Sequence, residues 1–268
     1  MVAGPDASVD LAAAALFIAC EEYPDLDVQA YLERLDSMAA DLRARLEDTR
    51  PGAAVPALNR LLFRDHGFRG NVQDYYDPRN SFLNDVMDRR TGIPISLSTV
   101  YMEVGRRAGL LVDGVGLPGH FIVRVGGAAG DGPAMLVDPF HNGVVLTRAD
   151  CQRRLDRIYD GKLKLATAML GRCDQKAILG RMLRNLKGIY TRRGDHRRAL
   201  NVVELLLLVH PSSGEDLRDR GLLFAALDCY GLAARDLEAY VTRSPAAADA
   251  EELRGRAAEL KRLAARLN

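Results

Sequence analysis

The sequence predicts an α+β core followed by an all-helical tail. Three observations carry this. Apolar residues recur at intervals of three and four through residues 11–109, short β-type runs follow in the middle, and helical spacing then resumes to the end. The composition suits it: of 268 residues, 48% are hydrophobic and 27% charged, the balance of an ordinary globular chain.

Ser8 or Asp10 can cap a first helix that carries Leu11, Ala14, Ala15 and Ile18 on one side and ends at Pro24. Asp25 to Asp27 opens a second helix, with Val28, Tyr31, Leu32, Leu35, Met38 and Leu42 on its apolar stripe. Pro51-Gly52 reads as a break and 55–63 as a short helix; 67–78 reads as irregular, and 81–87 as helical. Pro94 then starts a helix that Gly109 stops. Its residues are apolar almost all round, the pattern of a helix buried mid-domain. The runs 112–117, 121–125, 135–137 and 144–146 are short strands between glycine and proline turns, with 126–133 a hairpin tip. Helices resume at Thr147.

The tail repeats itself. Ala199 and Ala233, Tyr190 and Phe224, Val203 and Leu237, and Pro211 and Pro245 each lie 34 residues apart. A small residue, an aromatic and a closing proline at this period resemble tetratricopeptide repeats over roughly 180–247. The second unit departs from the first at Asp228-Cys229 and has Arg220 where the first has Leu186. Two repeats alone are marginal, so an amphipathic helix over 250–267 is expected to cap them. Such arrays bind proteins or peptides, which makes a partner at the tail an expectation, beside the alternative that the tail is only structural.

Three separated blocks carry a second resemblance: NSFLNDVMDRRTGIPISLSTVYMEVGRRAGL, VGLPGHFIVRV and MLVDPFHNGV. Together with the appended repeats they resemble the SirB1 family, whose transglutaminase-like core precedes tetratricopeptide-like helices. The resemblance implies a papain/transglutaminase-like core over residues 1–172, with a small antiparallel sheet, and a helical tail over 173–268. It further implies a site built from a cysteine at the start of a buried helix, a histidine on a strand and an aspartate on the next. A helix N-terminus favours a thiolate, the histidine acts as base, and the aspartate sets its tautomer. His120 and Asp138 match the last two positions. No cysteine matches the first: the helix opens Gly92-Ile-Pro94-Ile-Ser96-Leu-Ser98.

Ser96 and Ser98 are the hydroxyls that stand near the missing thiol. They lie about 200° apart around a helix, so both cannot face one imidazole. A hydroxyl also gains little from a helix terminus. The favoured reading of Ser96 is a cap or a core hydroxyl bonded to the preceding turn; a serine nucleophile and a polar ligand pocket are the alternatives. Asn80, Asn84, Pro94, Pro118 and Gly119 are candidate pocket-lining residues, with Ser81 more simply a helix cap. His141 lies three residues beyond Asp138, so Asp138, His141 and His120 approach a metal's needs, but no ligand-spacing motif accompanies them and no metal is expected. Cys20, beside Glu21 and Glu22, is a poor nucleophile. His66, His196 and His210 read as solvated.

Other classes are set aside. A net charge of +1 gives no general attraction to nucleic acid or anionic membrane. No apolar run of about 18 residues exists to span a bilayer, and no basic segment precedes the apolar N-terminal run. The glycines of 126–133 lack nucleotide-loop spacing, so no cofactor is expected. Four scattered cysteines form no disulfide framework, which suits a reducing cytoplasm. Two functions stay open: a cysteine-less binding or regulatory scaffold, favoured by the missing thiol, and a hydrolase or acyl-transfer enzyme using His120 and Asp138 with Ser96, Ser98 or an activated water.

Overall fold

The computed structural model describes residues 9–126 and 133–267. The hairpin tip expected over 126–133 lies largely outside them, as does Ser8. The chain divides into two compact units, one through Met182 and one from Leu183 onward.

In the first unit, α1 (Leu11–Cys20) is capped by Asp10, whose Oδ1 accepts the Ala13 N–H at 3.0 Å. Asp27 caps α2 (Val28–Arg45) in the same way, at 3.1 Å. The third helix departs from expectation. Pro51 does not break the chain but occupies the first turn of α3 (Pro51–Asn59), where a missing N–H costs nothing. α3 runs on into a π-helical turn, Arg60–Asp65, in which His66 N–H bonds to Leu61 O at 2.9 Å. A two-residue parallel pair, β1 (Arg69–Gly70) with β2 (Thr91–Gly92), brackets α4 (Leu83–Arg89). Ser81 does not cap α4: the N-cap position belongs to Phe82, and the Ser81 hydroxyl is buried with no hydrogen-bond partner among the described residues.

The central helix α5 (Pro94–Arg107) is buried from Pro94 to Gly105, as its all-round apolar sequence implies. It ends on Gly109 at φ +92°, with Leu110 N–H closing on Gly105 O at 2.9 Å. A four-stranded antiparallel meander follows in the order β3 (Val112–Val115), β4 (Ile122–Val125), β5 (Met135–Asp138) and β6 (Val144–Leu146). Gly105 lets the sheet approach α5, since a Cβ there would meet Val112 Cγ2 at 2.7 Å. Helix α6 (Arg148–Tyr159) packs beside β6, with Cys151 in one buried cluster with Leu146, and a longer helix, α7 (Gln175–Arg192), follows.

In the second unit α8 (His196–Val209), α9 (Gly214–Ala226), α10 (Tyr230–Arg243) and α11 (Ala250–Leu267) continue from the end of α7. The residues of the 34-residue period are the packing residues: Ala199, Val203, Ala233 and Leu237 are fully buried, with Tyr190 and Phe224 nearly so. α8 and α10 each stop two residues before their proline. α11 packs on α10 through Ala250, Leu253, Ala257 and Leu260, the cap expected for a short array. Arg220, the departure from the repeat, forms a two-bonded pair with buried Asp236, at 2.6 and 3.1 Å.

Candidate functional site

Antiparallel pairing sets Val123 opposite Val137, which brings Asp138 at the end of β5 beside the residues that precede β4. There the Asp138 carboxylate, wholly buried, meets the imidazole of His120, with Nε2 3.0 Å from Oδ2. The same oxygen takes His141 Nδ1 at 2.8 Å and Arg154 Nη1 at 2.7 Å, while Oδ1 accepts the Phe140 N–H at 3.1 Å. His141 enters from the 3-10 turn Pro139–His141, and Arg154 from the face of α6. Sequence reasoning weighed His141 only as a metal ligand and did not anticipate Arg154. No spacing signal marks that arginine, because its place depends on how α6 packs.

The electrostatics follow from this crowding. Burial, the largest influence, raises the carboxyl of Asp138, but the His120 hydrogen bond and the charges of His120, Arg154 and His141 together outweigh it and hold the group down at about 2. Burial pushes the His120 imidazole below its ordinary value; the Asp138 bond opposes this, and Arg154 and His141 reinforce it. Arg154 Nη1 also lies 2.5 Å from His120 Nε2 and 3.5 Å from His141 Nδ1. A guanidinium only donates, so that contact needs an unprotonated Nε2 and puts the ring proton on Nδ1. The other tautomer donates Nε2–H to Asp138. One nitrogen cannot do both, so Arg154 and Asp138 compete for it.

The His120, Asp138 and His141 ligand atoms all lie within 4.8 Å of one another, and could hold a divalent cation. The Arg154 guanidinium supplies positive charge at that same meeting point.

Around this cluster the backbone is fitted closely. Gly119, at φ +71°, makes the turn into His120, and a Cβ there would meet Ile158 Cδ1 at 2.9 Å. Pro118 is the other half of that turn. Arg181 clasps it by donating to Leu117 O at 3.0 Å and His120 O at 2.8 Å, with its guanidinium 5.5 Å over the Phe121 ring. Phe140 stands edge-on to the His120 ring at 6.3 Å and carries Tyr75 at 6.2 Å. Gly70 admits it: a Cβ would lie 2.6 Å from Phe140 O.

The hydroxyls are placed differently. Ser96 Oγ accepts the Ile93 N–H at 3.1 Å and sits 2.6 Å from Asn80 O, to which it donates. It is a fully buried cap at the start of α5, opened by Pro94, and Gly92 makes room for it, since a Cβ there would lie 2.7 Å from Oγ. Ser98 Oγ is buried with no hydrogen-bond partner among the described residues. Asn80 ties down its loop: its Nδ2 donates to Asp74 O at 2.7 Å and its Oδ1 accepts from Asn71 at 3.1 Å. Asn84 is buried on α4 with Oδ1 unpartnered among those residues. Cys151 shares α6 with Arg154 but lies wholly buried in an apolar cluster with Val115, Leu117 and Ile122, and burial pushes its thiol up. Cys20 is raised too, by burial and then by Glu21. His66, expected to be solvated, is half-buried and packs 6.4 Å from the Phe68 ring; burial lowers its imidazole.

The fold is that of a transglutaminase-like core followed by tetratricopeptide-like helices. The model of the transglutaminase-like superfamily matches residues 29–184, more than half of the chain, and a tetratricopeptide repeat model matches 186–258. The chain is 36% identical over 259 residues to a UPF0162 protein of Xylella fastidiosa strain 9a5c, covering 95% of this chain and 91% of that one. A UPF0162 protein of Pseudomonas aeruginosa is 33% identical over 226 residues, 84% of this chain and 81% of that one. Mouse F-box only protein 21 is 31% identical over 165 residues, which are 59% of this chain and 25% of that protein. No solved structure matches. This chain belongs to the UPF0162 family of transglutaminase-like proteins.

Proposed function

We propose that this is a SirB1-type protein whose transglutaminase-like core, residues 1–172, acts as a binding or regulatory module in the cytoplasm rather than as a thiol enzyme. The observation that carries the reading is the imidazole of His120 facing Asp138 and Arg154, while one candidate hydroxyl of α5, that of Ser96, is spent on Ile93 and Asn80. A base pressed down by burial and contested by a guanidinium is poorly matched to ionising a serine. The buried charge cluster instead offers fixed donors and one carboxylate for recognition. The helical tail, residues 173–268, presents a cleft of about 500 Å³ that Lys187, His196, Leu222 and Leu223 help to line, a seat for a protein or peptide partner.

One observation favours the rival, a hydrolase or acyl-transfer enzyme. Ser98 carries a buried hydroxyl with no hydrogen-bond partner among the described residues. Labelling the full chain with a fluorophosphonate and with iodoacetamide separates the two. The expected result is no serine adduct, and thiol alkylation at exposed Cys229 that is indifferent to His120→Ala. A serine adduct that disappears in His120→Ala would replace the binding module with the enzyme.

A further inference from the structure

A second cleft, of about 880 Å³, lies in the core on the side of the π-helical turn, and its charge is all of one sign. Arg60 and Arg64 line it from that turn, where four residues make nearly a full revolution and bring both side chains to one side. Arg69 lines it from β1. All three are exposed, and none makes an ion pair or a side-chain hydrogen bond among the described residues. The acid of the same turn, Asp65, is held by Arg45 instead. Phe63, stacked on Tyr101 at 6.2 Å, and Met135 and Val145 from the sheet add apolar surface, Val145 being 45% exposed, and Asn59 and Asn142 add uncharged polar groups.

In a chain of net charge +1, three guanidiniums without ion-pair partners among the described residues, around a partly apolar floor, are a local feature that packing does not require. We infer that this cleft docks an acidic peptide segment, with carboxylates on Arg60, Arg64 and Arg69 and an apolar side chain against Phe63, Met135 and Val145. Exposed guanidiniums from two elements suit carboxylates spaced along a chain, each taken by a planar fork of donors. A single phosphate would want them focused on one point. The site stands apart from the reading of His120 and does not depend on it.

The test is fluorescence anisotropy of the full chain with a labelled peptide of alternating glutamate and leucine. Binding is expected to weaken about tenfold or more in R60E/R64E, to weaken in the milder R60Q/R64Q, and to fall as salt is raised. His120→Ala should leave it unchanged, which keeps this result separate from the labelling experiment. Circular dichroism melting of both arginine variants confirms that they fold. No binding, binding indifferent to R60Q/R64Q, or equal binding of a lysine–leucine peptide would overturn the inference. Displacement of the peptide by pyrophosphate at lower concentration than by unlabelled peptide would reassign the cleft to a phosphate ligand and overturn it as well.

Discussion

Each unit buries aspartates, and two of these, Asp138 in the core and Asp236 in the tail, are treated differently. In the tail, Asp236 is hydrogen-bonded on both oxygens by one guanidinium, Arg220, with Arg235 a longer ion pair at 3.9 Å. In the core, a single oxygen of Asp138 receives nitrogens from His120, His141 and Arg154, and Arg154 also contends with that oxygen for His120 Nε2. The tail's arrangement is the minimum that lets a carboxylate leave water, and the repeat's geometry explains it: Arg220 sits where the other unit has Leu186. The core's arrangement exceeds that minimum. Packing alone does not call for three nitrogens on one oxygen, and such over-provision marks a place where protonation or a ligand can redistribute the bonds.

Substitutions should sharpen this contrast. Asp138→Asn keeps the shape but removes the charge that three nitrogens share, and is expected to cost about 3–5 kcal/mol in urea denaturation. A loss under about 1 kcal/mol would mean that Arg154 and His141 simply turn to solvent. In the tail, Arg220→Leu alone should cost about 2–3 kcal/mol by stranding Asp236, whereas R220L with D236L should come within about 1 kcal/mol of the parent. If the double variant is as weak as the single one, the tail pair does more than satisfy burial.

Acid gives the next effect. His120 has a folded value below its ordinary 6.5, so the unfolded chain takes up its proton first, and stability falls as pH drops through that range. Asp138, folded near 2 against an ordinary 3.8, contributes stability that is present above 3.8 and lost as pH falls toward 2, on the order of 2 kcal/mol. Urea midpoints against pH should therefore show two acid-side losses, and Asp138→Asn should erase the lower one. Among single substitutions the smallest change is expected for Ser96→Ala. It leaves the Ile93 N–H unpaired and should cost about 1–2 kcal/mol, with no effect on fluorophosphonate labelling.

Much of this architecture is written locally. Asp10 and Asp27 announce their helices because a capping side chain needs only the next turn. The 34-residue period works the same way, since Ala199 and Ala233 must be small wherever two helices of a hairpin close. Pro51 misled because proline ends a helix or begins one, and only the neighbouring packing decides which. The likeness to a known family pointed to His120 and Asp138, but nothing in their spacing measures the contact between them.

By itself, then, the amino-acid order determined the succession of helices, meander and repeats, and the lack of a thiol at the head of α5. Those follow from short-range periodicity, caps and residue identity. Only the tertiary structure decided that Ser96 is consumed as a cap, that Ser98 is left unpartnered among the described residues, and that Arg154 reaches the imidazole of a residue 34 positions earlier. Convergence of that kind is a property of how α6, β5 and the 3-10 turn pack together, and no local pattern encodes it.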